Sequence, residues 1–117
     1  MKCALYARYS TERQSENSIP DQLRTCERLA EREGFQIVAR FSDAAISGGT
    51  AQRPGYMDLL RAARRHEFDV IVAEDSSRLW RELAEQWRAL KELQDLGVHF
   101  VGHGIDTRRD ESFCHKA

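Results

Sequence analysis

Three polar stretches of this 117-residue chain concentrate the residue types that handle phosphate. The first supplies Arg8, Ser10 and Gln22; the second Asp43, Ser47 and Arg53; the third Glu74, Asp75, Ser77, Arg78 and Arg81. Guanidinium groups bind the non-bridging oxygens of a phosphoryl group and stabilise the charge that grows there in the transition state. A serine among them can attack phosphorus and form a covalent intermediate that conserves the bond energy. Arginine stays protonated, so its contribution is electrostatic before anything else. Phosphoryl transfer is the chemistry these types suit.

Each residue also has a plainer structural reading. Ser10 and Thr11 can simply begin a polar loop. Ser76 or Ser77 can be the N-cap of the helix that follows, and Arg78 with Arg81 can form a solvated helical face. Glu74 and Asp75 are a conceivable Mg²⁺ carboxylate pair, with Asp43 as the third acid. His66, His99, His103 and His115 show no metal-ligand spacing, so no metal and no cofactor are expected. G-x-G-x-x-G, G-x-x-x-x-G-K-[ST] and C-x5-R are all absent, which removes the main support for dinucleotide, P-loop and cysteine-phosphatase chemistry.

The elements that must position these residues are legible in the apolar pattern. Residues 3–8 read as a buried strand. Ile19, Leu23, Cys26 and Ala30 recur at helical spacing, with Pro20 suited to a first turn and Gly34 to a stop. Residues 35–41 read as a second strand, and 42–53, with "SGGT", as a loop. Pro54 opens a helix with Tyr56, Leu59, Leu60 and Ala63 on its inner face. "FDVIVAED", residues 68–75, has the continuous apolar run of a strand buried on both faces. Leu79, Leu83, Trp87, Leu90 and Leu93 mark the longest helix, ending near Gly97, and "VHFVGH" makes a fourth strand. The tail "GIDTRRDESFCHKA" suits an edge strand and the first turn of another helix.

The order βαβαβαβ predicts a three-layer α/β fold of the flavodoxin-related kind. Its sheet is mostly parallel, of four to five strands, with helices on both faces. Ligands of such sheets gather beyond the carboxyl ends of the strands, and all three polar stretches fall there.

Bulk properties bound the function. Hydrophobic content of 41% and charged content of 32% describe an ordinary globular domain. No apolar run near ~18 residues and no signal-peptide pattern is present, so no membrane association is expected. Cys3, Cys26 and Cys114 are odd in number and widely spaced, which suits a reducing cytoplasm and neither a disulfide framework nor a zinc site. A net charge of −1 leaves no basic footprint for nucleic acid. Yet 15 of the 18 basic residues are arginine, the side chain suited to bidentate phosphate contact, although a GC-rich gene would give the same bias.

Taken together, "YARYSTERQ" after the first strand, "SIPDQ" opening the first helix, "DAAISGGTAQRPGY" after the second strand and "EDSSRLWR" after the third carry a resemblance. With "GVHFVGHGID" as the next strand and turn, the chain resembles the catalytic domain of serine site-specific recombinases. That is the resolvase/invertase family, and particularly its large serine integrase and transposon-recombinase branch. The motifs stand in the family's order and spacing over nearly the whole chain.

The resemblance implies that Ser10 is the nucleophile, attacking the scissile DNA phosphate to give a 5′-phosphoserine linkage and a free 3′-hydroxyl. It implies that Arg8, Arg53, Arg78 and Arg81 are the catalytic arginines, with Gln22 and Ser47 as supporting polar residues. Religation reverses the covalent step, so neither ATP nor metal is implied, and no small-molecule substrate. One position departs: Ser77 stands where the family's D-R-L-S-R motif has aspartate. Serine can hydrogen-bond but brings no negative charge.

Residues 1–117 are thus expected to be a recombinase catalytic domain without the long dimerisation helix and DNA-binding region that follow it in the family. The partners implied are double-stranded DNA, bound weakly by this piece alone, and copies of itself as dimer or tetramer in the full-length protein. A bacterial or mobile-element origin and a cytoplasmic location go with it. Ser10 is expected to be exposed and poorly ordered, with its arginines not yet converged. Two rivals remain: a non-catalytic assembly or DNA-binding module on the same fold, favoured by Ser77, and a phosphoacceptor receiver domain using Asp43 or Asp75.

Overall fold

A computed structural model of the chain describes residues 1–9, 19–44, 54–74, 83–102 and 105–108. In chain order the elements are β1 (Lys2–Tyr9), α1 (Ile19–Glu33), β2 (Gln36–Ala44), α2 (Pro54–Arg64), β3 (Val70–Ala73), α3 (Leu83–Leu96), β4 (His99–Gly102) and β5 (Ile105–Asp106). The sheet runs β2-β1-β3-β4-β5, with β1 to β4 parallel and β5 antiparallel to β4. The three-layer α/β expectation holds, and the tail does supply an edge strand.

The central strand is apolar without interruption because both of its faces are covered. Cys3 to Ala7 are all fully buried. Cys3 and Leu5 pack with Cys26 and Ala30 of α1, whereas Ala4 and Tyr6 pack with Leu59, Ala63, Leu90 and Leu93 of α2 and α3. β3 repeats the alternation: Val70 and Val72 face α1, Ile71 and Ala73 the other layer. The three described helices end in the same backbone motif, in which two successive N–H groups bond back to helix carbonyls. The pairs are Gly34/Phe35, His66/Glu67 and Gly97/Val98. The first residue of each has positive φ, which glycine adopts freely at 34 and 97 and which His66 adopts at 59°.

Two expectations need correction. β2 continues through Ser42, Asp43 and Ala44, which pair with Ala7, Arg8 and Tyr9. The polar letters suggest a loop there, but pairing to β1 keeps the backbone extended. The pairing also skips one residue: Cys3 faces Ile37 and Ala4 faces Ala39, so Val38 is bulged out and 41% exposed. That extra residue reverses the facing of the rest of the strand. Ile37 packs on the α1 side, whereas Ala39 and Phe41 pack on the α2 side.

The second correction concerns α3. Leu90 and Leu93 are buried as expected, but Leu83 and Trp87 are 66% and 48% exposed. The helix packs on the core through its C-terminal half, next to β4, so apolar letters in its first turns do not report burial. Its expected beginning at Leu79 lies outside the described residues.

Candidate functional site at the carboxyl end of the sheet

Arg8 sits at the end of β1, where β2 still accompanies it but β3 has stopped opposite Tyr6. Gln22, fully buried in the first turn of α1, takes the place of the missing strand. Its Oε1 accepts from the Arg8 N–H at 3.0 Å, and its Nε2 donates to the Arg8 carbonyl at 2.8 Å. Both ends of one amide are used on one residue, which fixes the direction in which β1 hands the chain on towards Ser10. Each such bond contributes on the order of 1 kcal/mol net. Gln22 thus holds the Arg8 backbone from the α1 side.

Across the sheet, Arg8 is the register partner of Asp43, 7% exposed. Asp43 faces α2 because of the bulge at Val38. Its carboxylate accepts from the Tyr6 hydroxyl at 2.6 Å, the Gly55 N–H at 2.8 Å and the Tyr56 N–H at 2.9 Å. The two amides belong to the first turn of α2, where N–H groups lack intrahelical acceptors and negative charge is favoured. Asp43 therefore does from β2 what a capping side chain does locally. The junction is tight: a Cβ on Gly55 would lie 2.3 Å from the Ser42 carbonyl oxygen. Tyr56 completes it, with its ring edge-on to Tyr6 at 6.1 Å.

This arrangement answers the receiver reading of Asp43, whereas the Mg²⁺ reading rests on Asp75, which lies outside the described residues. Both carboxylate oxygens hold the helix start, so neither is presented as a phosphoacceptor. Among the described residues no cluster of His, Cys, Asp and Glu could hold a metal ion. Tyr6 has a positioning role that the strand pattern hides. The available signal is that a tyrosine buried in an apolar run needs a partner for its hydroxyl.

Glu74 follows β3 at the same end, half-buried, and its charge reaches the α1 layer. Burial, then Glu74, then Cys3 push the Cys26 thiol up to about 12; burial also raises Cys3. Both thiols are buried and stay protonated at neutral pH.

The structure thus gathers Arg8, Gln22, Asp43 and Glu74 at one end of the sheet. Ser10, Ser47, Arg53, Asp75, Ser77, Arg78 and Arg81 lie outside the described residues, and with them the expected exposure of Ser10. The chain connectivity alone puts Ser10 two residues past Arg8 and Arg53 directly before Pro54.

The comparisons with known proteins agree on one family. The family described as resolvase, N-terminal domain, matches residues 3–114. The Tn3 transposon resolvase of Escherichia coli is 36% identical over 107 residues, covering 90% of this chain and 52% of the relative. The chain therefore spans about half the length of the curated relatives it matches. A resolvase-family site-specific recombinase from Streptococcus pneumoniae superposes with a TM-score of 0.84 at 26% identity, over 97% of this chain and 80% of that one. The N-terminal catalytic domain of TP901-1 integrase superposes with a TM-score of 0.79 at 27% identity, over 92% and 82% of the two chains. With a sheet of the same kind, a strand end braced at Arg8 and a family match over nearly its whole length, the chain belongs to the resolvase N-terminal domain family of serine recombinases.

Proposed function

We propose that this chain carries the chemical step of site-specific DNA recombination. The Ser10 hydroxyl attacks the scissile phosphorus, the bond from phosphorus to the 3′-oxygen breaks, and the 3′-oxygen leaves as a hydroxyl. The phosphodiester is exchanged for a 5′-phosphoserine ester, so its energy is kept for religation after strand exchange. Arg8, Arg53, Arg78 and Arg81 stabilise the charge on the non-bridging oxygens. Gln22, Ser47 and Ser77 support them.

The observation that carries this reading is the brace at the end of β1. Gln22 and the β2 pairing hold Arg8 rigidly two residues ahead of a serine, in a chain whose relatives include a transposon resolvase. Residues 1–117 act as the catalytic domain of a longer protein, whose remaining parts supply dimerisation and most of the affinity for DNA. That protein works on double-stranded DNA as a dimer or tetramer, in the cytoplasm of a bacterial host. Among the described residues no helix is long and apolar enough to cross a membrane.

The test uses the full-length protein with its cognate site, denatured after incubation. A covalent protein–DNA adduct that disappears on Ser10→Ala supports the reading. Specific binding without an adduct overturns it in favour of a non-catalytic module, the reading Ser77 favours. Ser77→Asp distinguishes the two further, because an active enzyme keeps or gains cleavage when the motif aspartate is supplied.

A further inference from the structure

β5 has two residues, pairs with β4 alone among the described strands, and lies at the edge of the sheet. A strand so short has little stability of its own. Thr107 extends the attachment by one position: its N–H donates to the Phe100 carbonyl at 3.0 Å, and its hydroxyl accepts from the Phe100 N–H at 2.9 Å. The next residue, Arg108, reaches a different part of the molecule.

The Arg108 guanidinium is held on three sides. Its Nε and Nη2 donate to the two oxygens of Asp106 at 3.0 and 2.7 Å, and its backbone N–H donates to the same carboxylate at 3.0 Å. Nη2 also donates to Glu33 at 2.9 Å, across 75 residues of chain. Its central carbon lies 4.9 Å from the centre of the Phe35 ring. The side chains of Arg108, Asp106 and Glu33 are only 20%, 20% and 17% exposed, so this is no surface pair screened by solvent. Hydrogen bonding to Asp106, and more weakly to Glu33, raises the guanidinium pKa further, against the effect of burial.

Glu33 ends α1, and Phe35 is the residue through which the α1 terminus closes onto β2. Arg108 is the contact that ties the last described turn of the chain to that corner. We propose that Arg108 is a clasp fastening the β5 turn to the C-terminal end of α1, and that opening it frees β5 and the turn as one unit while the four parallel strands stay folded. A closed clasp fixes the position and direction of the backbone at Arg108. An open one changes that geometry without disturbing Arg8, which other contacts hold.

Amide hydrogen exchange on the 117-residue chain tests this. In Arg108→Gln, protection of the Phe100 and Thr107 amides should fall by about tenfold or more, as expected for lost charge-assisted hydrogen bonds, with β1 and β3 amides unchanged. Arg108→Lys keeps the charge without the fork and should fall in between. Glu33→Gln leaves Asp106 in place and should give a smaller loss at the same amides. Unchanged protection in Arg108→Gln overturns the clasp, and so does a loss shared equally by β1 and β3. Global unfolding of that variant also refutes it. No effect in Glu33→Gln would sink the attachment to α1.

Discussion

Replacing Asp43 by Asn should destabilise the fold by about 2 kcal/mol, through loss of the start of α2 rather than loss of volume. The carboxylate accepts three hydrogen bonds, from Tyr6, Gly55 and Tyr56. An asparagine oxygen facing Tyr6 and Tyr56 turns its NH2 towards the Gly55 N–H, so one charge-assisted bond of ~1.5–3 kcal/mol is lost. Loss of the anion at the helix N-terminus removes a further ~0.3–1 kcal/mol, and release from keeping a charge in a buried site offsets part of the sum. Asp43→Ala removes the acceptor shared by three donors and should cost about 4 kcal/mol, whereas Tyr6→Phe removes one donor and should cost about 1 kcal/mol. Combined with Asp43→Ala, Tyr6→Phe should cost less than it does alone, since both changes break the Tyr6–Asp43 bond. Urea unfolding of the four variants, followed by far-UV circular dichroism, measures all of this. An Asn variant as stable as the native chain, or a strictly additive double mutant, would refute the brace.

Three further outcomes follow from the same geometry. Gly55→Ala puts a Cβ 2.3 Å from the Ser42 carbonyl oxygen, so the strand and helix must separate, and the urea midpoint should drop by an amount equivalent to about 2 kcal/mol or more. His66→Gly relieves a positive φ at the end of α2 and should stabilise by roughly 0.5–1 kcal/mol, read as a rise in Tm. Burial pushes the Cys26 thiol of the folded chain from its ordinary value of 9.0 up to about 12. The unfolded chain therefore loses its proton first, and stability should fall as pH rises through that window, by at most about 1.4 kcal/mol per unit. Cys26→Ala should flatten this slope, and native Cys26 should resist alkylation at neutral pH.

Gln22 illustrates how far the letters go. Its place in the first helix is read from "SIPDQ", and the same letters nominate it for the site. Its means of action, two bonds to the Arg8 backbone, needs the missing continuation of β3 to be known. Leu83 and Trp87 illustrate the opposite error, because helical spacing reports a stripe but not how much of it the neighbouring layer covers.

By itself, the sequence determined the alternation of strands and helices, the apolar central strand, the ends at Gly34 and Gly97, and the family to which the motifs belong. These are consequences of local periodicity and of residue types at fixed spacing, which act within a few positions of the chain. Only the tertiary structure decided what Asp43 does. A strand's facing is a parity, and one bulged residue at Val38 reverses it, turning Asp43 from the α1 layer towards α2 and Tyr6. That bulge arises from pairing with β1, more than thirty residues earlier, and no pattern of neighbouring letters records it.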